Sequence, residues 1–98
     1  MQIDLEKLQK IFGKEYADAL KKVLEVREDR LSQYGNTFID DDFMFLYYQV
    51  LNKMKRFSLQ LDRTDGIEKI KNKDVALDSA VDCVNYGLFI VSKLLIDE

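Results

Sequence analysis

The chain contains no proline, and its apolar residues recur at helical spacing over most of its length. Proline breaks helices, so its absence leaves every segment free to be helical. Apolar residues at intervals of three and four predict amphipathic helices, whereas strands require alternation. Short strands at 37–39 and 88–91 are the alternative, but the first is too short for a sheet and the second continues a helical pattern. The sequence therefore predicts an all-α fold, a compact helical bundle of three long helices plus a short N-terminal helix.

Glycine and aspartate residues mark the predicted helix ends. Four helices are predicted, at about 3–12, 14–33, 43–61 and 74–96. Gly13 interrupts the chain after the first helix, and the turn Tyr34-Gly35-Asn36 ends the second, because glycine and asparagine adopt the left-handed conformation that follows helices. Asp40–Asp42 predict the start of the third helix. Asp65-Gly66 predicts a loop, followed by a polar connection over 67–73.

The composition limits both the class of protein and its chemistry. A chain of 98 residues is expected to form one domain, spanning 1–98. An apolar content of 47% and an aromatic content of 11% argue against disorder. The chain has no histidine, which excludes histidine metal ligands and Ser-His-Asp triads. Its one cysteine cannot form an internal disulfide, which fits a reducing cytoplasm.

The charge pattern bears on partners and location. The formal net charge is −3, and neither half of the chain is a basic stripe, so no nucleic-acid partner is expected. Residues 1–10 alternate in charge and do not resemble a signal peptide. The most apolar stretch, 84–96, is too short to span a bilayer. We therefore expect a cytoplasmic protein with no membrane partner.

Acidic residues repeat along one side of the predicted fourth helix. Asp78 and Asp82 lie four residues apart, and with Asp74 and Asn85 they fall within a sector of about 80°. The sector borders an apolar stripe that we expect to face the core, made of Leu77, Val81, Val84, Leu88, Val91 and Leu95. Half-buried like charges are costly unless a cation neutralises them, and Mg²⁺ prefers such oxygen ligands.

A solvated acidic edge is the alternative to a metal site. Asp74 is close to the helix start, where aspartate caps backbone amides, and Asp78 also gains from the helix dipole. Asp82 and Asn85 lie too far into the helix for this explanation. The sequence leaves both interpretations open.

The second and third helices add further charged candidates. Glu25 and Glu28 form an E-x-x-E pair on neighbouring turns. Such a pair is usually part of a salt-bridged surface, but with the acids of the fourth helix it could enclose a cation. Lys53 and Arg56 share one face of the third helix, which suits either a phosphate contact or an exposed edge. Tyr34 could stack on a base or pack against the core.

The order of these motifs resembles a known group of enzymes. The motifs are Glu25-x-x-Glu28, Tyr34-Gly35-Asn36, Lys53-x-x-Arg56 and Asp78-x-x-x-Asp82-x-x-Asn85-Tyr86. Together they resemble the MazG-like, all-α nucleoside triphosphate pyrophosphatase superfamily. The nearest group is the small, often phage-related nucleotide modification associated domain. The resemblance covers roughly residues 20–90.

The resemblance implies Mg²⁺-dependent cleavage of a nucleoside triphosphate to the monophosphate and pyrophosphate. It implies that Glu25 and Glu28 are catalytic residues and metal ligands. Asp78 and Asp82 are the nearest match to the second ligand pair, although their i, i+4 spacing departs from the usual E-x-x-D. The substrate-binding residues would be Lys53, Arg56, Asn85 and Tyr34. We therefore expect the two carboxylate pairs to face each other across a cleft and to share Mg²⁺.

A helical interaction module without an active site is the alternative function. The third helix carries more apolar surface than a small bundle requires, in Phe43, Phe45, Leu46, Tyr47 and Tyr48. Pairing of two chains would bury this surface. We therefore expect a homo-oligomer, in the simplest case a dimer formed in part through Phe43–Tyr48. The resemblance is compatible with this, since MazG-like proteins generally act as dimers or tetramers.

Overall fold

The computed structural model describes residues 4–64 and 66–96. In chain order its elements are α1 (Leu5–Phe12), α2 (Lys14–Tyr34), a 3₁₀ turn (Thr37–Asp40), α3 (Phe43–Ser58), β1 (Leu61–Thr64), β2 (Ile67–Ile70) and α4 (Lys73–Ile96). The predicted all-α class is confirmed, and β1 and β2 form the one sheet within these described ranges. The chain divides into two compact units, Met1–Asn36 and Thr37–Glu98.

Glycine ends the helices of the first unit as expected. Gly13 lies between α1 and α2 with φ of 89°, and its N–H donates to the carbonyl of Gln9. Gly35 follows α2 with φ of 64°, and its N–H donates to the carbonyl of Leu31 at 2.9 Å. Both conformations favour glycine because a Cβ would be strained there. The predicted start of the first helix, Ile3, lies outside the described residues.

Two side-chain caps begin the helices of the second unit. The carboxylate of Asp42 accepts the N–H of Phe45 at 2.7 Å, which confirms the predicted start of α3. At α4 the predicted cap, Asp74, is not the residue that caps. Asn72 accepts the N–H of Val75 at 3.1 Å instead. Asp74 lies in the first helical turn, where its charge still suits the helix dipole.

A β-hairpin replaces the polar connection predicted between the third and fourth helices. β1 and β2 pair antiparallel, with Thr64 opposite Ile67 and Leu61 opposite Ile70. The two-residue loop between them ends at Gly66, which has φ of 75°. Asp-Gly is a strong hairpin signal because both positions accept positive φ, and Asp65 lies outside the described residues. As a result α3 ends at Ser58, three residues before its predicted end.

The aliphatic stripe of α4 is mostly exposed, contrary to the prediction that it faces the core. Asp82 pairs with Lys53 of α3, and the residues on this side of α4 are called the inner face here, namely the buried Ala76, Ser79, Asp82 and Asn85 together with Phe89 and Lys93. The predicted core stripe is buried only at Val81. Its other members are 46–61% exposed and are called the outer stripe, namely Leu77, Val84, Leu88, Val91 and Leu95. The polar residues Asp82 and Asn85 are therefore buried, whereas most of the aliphatic stripe is exposed.

Of the described helices, α4 alone has the length and apolar composition to cross a membrane, and 22% of its most apolar window is buried. This is weak evidence, because the core helix of a soluble protein meets the same criteria.

Candidate functional site

Two cations of α3 meet two carboxylates of α4. Nζ of Lys53 lies 3.3 Å from Oδ2 of Asp82, and Nη1 of Arg56 donates to Oδ2 of Asp78 at 2.7 Å. The helices run antiparallel, so residues three apart on α3 reach residues four apart on α4. We call these four residues the charge cluster. The structure thus brings four of the predicted site residues together as two ion pairs.

The two ion pairs differ in their exposure to water. The side chain of Asp82 is 3% exposed and that of Lys53 is 25% exposed, whereas Arg56 and Asp78 are both nearly half exposed. A buried carboxylate depends on its partner, because an isolated charge is costly away from water. An exposed pair is screened and contributes little. Of the two ion pairs in the charge cluster, Lys53–Asp82 is therefore the one whose loss should cost more stability.

Buried polar residues continue along α4 next to the charge cluster. Ser79 is fully buried and donates its hydroxyl to the carbonyl of Val75 at 2.8 Å. Asn85, one turn beyond Asp82, is 4% exposed. In the described part of the chain, no buried side-chain nitrogen or oxygen lacks a hydrogen-bond partner. The buried polar groups of α4 therefore have hydrogen-bond partners.

Aromatic and cationic contacts hold the other end of α4. Nζ of Lys93 donates to the carbonyl of Asp41 and lies 4.9 Å from the ring centre of Phe43. The ring of Phe89 stacks on Phe38, with ring centres 4.4 Å apart and planes at 6°. These contacts fix the register of α4 along α3, which keeps Asp82 opposite Lys53.

The glutamates of the E-x-x-E pair lie on α2, in the first unit. Glu25 is exposed, and its carboxylate lies 3.7 Å from Nζ of Lys21 one turn earlier. Glu28 is also exposed. The predicted approach of this pair to Asp78 and Asp82 stays a prediction.

Tyr34, the predicted base-stacking residue, ends α2 with 65% of its surface exposed. The turn after it is held by Arg27, which donates to Oδ1 of Asn36 at 2.8 Å and to the carbonyl of Gly35 at 3.4 Å. Stacking of Tyr34 on a base stays a prediction.

The charge cluster offers oxygen donors of the kind that Mg²⁺ prefers. Each of these carboxylates has a cationic side chain beside it, so Mg²⁺ would have to share it with Lys53 or Arg56. Across ranges 4–64 and 66–96, no group of three or more cysteine, aspartate or glutamate side chains is arranged to hold a metal ion.

The sequence identified the members of the charge cluster but not their pairing. It predicted a metal beside the acids and a phosphate beside the cations. Two cations three residues apart on one helix and two carboxylates four residues apart on the next could have predicted these ion pairs, because both spacings are about one helical turn. Ser79 was missed, since a single serine in a helix carries no distinguishing pattern.

Comparison of the chain with known protein families, with curated proteins and with solved structures gave no match. The resemblance to MazG-like pyrophosphatases thus rests on the motifs quoted above.

Proposed function

We propose that this protein is a cytoplasmic, Mg²⁺-dependent nucleoside triphosphate pyrophosphohydrolase. The observation that supports the proposal best is the charge cluster, in which two cations and two carboxylates lie between α3 and α4. A complex of Mg²⁺ with a nucleoside triphosphate also combines a cation with anionic oxygens. The two carboxylates of the charge cluster suit the Mg²⁺ of such a ligand, and its two cations suit the phosphate oxygens.

Substrate binding would exchange the partners within the charge cluster. Lys53 and Arg56 would turn from the carboxylates to phosphate oxygens, which they bind through charge-assisted hydrogen bonds. Asp78 and Asp82, together with Glu25 and Glu28, would hold Mg²⁺. When bound, the metal would neutralise phosphate charge and favour ionisation of a water.

The remaining roles follow from the resemblance and from exposure. Glu25 or Glu28 would accept a proton from the attacking water, whose oxygen bonds to phosphorus while pyrophosphate leaves. Asn85 would contact the substrate beside Asp82, and Tyr34 would stack on the base. The amide and the ring suit these contacts, because one offers a donor and an acceptor and the other an apolar face.

Pyrophosphate release is the direct test of this proposal. The full chain is incubated with Mg²⁺ and each common ribo- and deoxyribonucleoside triphosphate in turn, and pyrophosphate and monophosphate are measured. We expect equimolar products from at least one nucleotide. Glu25→Gln and Lys53→Met should each lower the rate at least tenfold, by removing a metal ligand and a phosphate contact.

Matched variants control for the loss of charge alone. Glu15→Gln removes an exposed acid from the same helix as Glu25, and Lys55→Met removes an exposed cation from the same helix as Lys53. Both should keep the wild-type rate. Release of inorganic phosphate in place of pyrophosphate, or no turnover of any nucleotide, would contradict the proposal.

A helical interaction module is the second candidate function. It is favoured by the apolar side chains that α3 leaves in contact with solvent. Phe45, Tyr47 and Tyr48 are 45–53% exposed, although Leu46 between them is fully buried. Exposed apolar patches on small proteins mark interaction sites. Formation of a homodimer in part through Phe43–Tyr48 belongs to this candidate, and it is compatible with catalysis.

A further inference from the structure

We propose that the outer stripe of α4 is the contact surface for α4 of a second copy of this chain. The proposal deepens the second candidate function and does not depend on nucleotide chemistry. It places the interface on the opposite side of α4 from the charge cluster, at residues distinct from Phe43–Tyr48.

The spacing of the outer stripe is the first argument. Together with Val81, its members follow each other at intervals of four, three, four, three and four residues from Leu77 to Leu95. This alternation is typical of the apolar seam of paired helices, and the line from Leu77 to Leu95 is called the seam here. Its five exposed members can face a partner, whereas Val81 is buried within the chain itself. At 100° per residue the seam points away from the buried Ser79 and from Asp82, which pairs with Lys53 of α3.

The exposure of the outer stripe is the second argument. Its five members are 46–61% exposed, and the neighbouring Leu94 is 55% exposed. With about 90 Å² accessible on each of these six side chains, complete burial in both copies would remove about 1,100 Å² from water, at the lower limit of about 1,000 Å² for specific interfaces. A symmetric contact also presents the same apolar stripe from both sides.

Gly87, within α4 and beside the seam, is the third argument. Glycine inside a helix costs about 1 kcal/mol relative to alanine. A Cβ built at Gly87 would meet nothing within 4 Å, so packing within the described chain gives no reason for glycine there. Close approach of a second helix does give one, since the absence of a side chain lets two backbones come together.

The test is the oligomeric state of the full chain, measured by sedimentation equilibrium at micromolar concentration. We expect twice the chain mass of 11.5 kDa for the wild type. Leu88→Glu places a charge in the seam and should raise the dimer Kd at least tenfold. The control Ile67→Glu changes a residue of β2 that is 57% exposed, and it should leave Kd unchanged.

A second variant separates loss of pairing from loss of folding. Gly87→Leu improves helix propensity, so the monomer should keep or increase its helical circular dichroism. The added side chain should nevertheless raise the dimer Kd at least tenfold. A dimer that tolerates both Leu88→Glu and Gly87→Leu would overturn the seam while leaving pairing through another surface in place.

Two other occupants of the outer stripe give different results. If another segment of the same chain covers it, the wild type stays monomeric and Leu88→Glu lowers its thermal midpoint. If a lipid surface covers it, the monomeric protein floats with liposomes. Either result overturns the proposal.

Discussion

Replacing Lys53 with methionine tests how strongly α4 depends on the charge cluster. Methionine keeps the length and apolar stem of lysine but leaves the carboxylate of Asp82 without the ammonium that lies 3.3 Å away. Because Asp82 is 3% exposed, its charge is poorly solvated by water. Removal of one partner of a buried ion pair costs about 3–5 kcal/mol. Since Lys53 is itself one-quarter exposed, we expect the lower end of this range. Lys53→Met should therefore lower the free energy of unfolding by about 3 kcal/mol.

A double-mutant cycle isolates the interaction between Lys53 and Asp82. Asp82→Asn alone should lower the free energy of unfolding by about 1–2 kcal/mol. This loss is smaller than that of Lys53→Met because the ammonium of Lys53 can then reach water. The double variant should lose less than the two single losses combined, which gives a coupling of about 1–2 kcal/mol.

Urea unfolding followed by helical circular dichroism measures these free energies. The matched cycle uses Arg56→Met and Asp78→Asn, whose half-exposed pair should give a coupling below about 1 kcal/mol that declines with added salt. Lys55→Met controls for a lost surface charge. The reasoning is refuted if Lys53→Met costs no more than Lys55→Met, or if the two cycles give equal couplings.

Three further predictions concern the ends and packing of helices. Asp42→Ala removes the acceptor for the N–H of Phe45 and should cost about 1 kcal/mol in urea unfolding, whereas Asp42→Asn should keep most of that stability. Gly35→Ala places a Cβ at φ of 64° and ψ of −152° and should cost about 1–3 kcal/mol, measured by thermal melting. Phe89→Leu ends the ring stacking with Phe38 and should cost about 1 kcal/mol beyond lost area, which unchanged urea midpoints would contradict.

The helices were predictable because their signals are local. The glycines Gly13 and Gly35 and the aspartate Asp42 act on the backbone beside them, so their effects need no knowledge of the tertiary structure. The hairpin was missed even though Asp65-Gly66 was recognised as a loop. Its strands have four residues each, too few for a clear alternation.

The buried side of α4 was not predictable from hydropathy. Two stripes run along this helix, and the sequence favoured the aliphatic one as the core. The inner face is buried instead because its carboxylate, Asp82, pairs with Lys53 of α3 and because Phe89 stacks on Phe38. Such pairing depends on which helix lies opposite, and a single helix does not encode it.

The candidate site was predicted as residue types and not as contacts. Lys53, Arg56, Asp78 and Asp82 were all identified, since charges at helical spacing are visible in the sequence. Their arrangement as two ion pairs requires the antiparallel register of α3 and α4, which a single helix does not reveal.

The exchange of partners in the charge cluster is tested most directly by calorimetric titration with Mg²⁺ and a nucleoside triphosphate analogue that cannot be hydrolysed. The account predicts that the two together bind at least tenfold more tightly than either alone, because metal and phosphate occupy the carboxylates and the cations at once. Lys53→Met should weaken binding of the complex at least tenfold, and Lys55→Met should not. Equal affinity of the wild type and Lys53→Met, or no binding of the complex, would contradict the account.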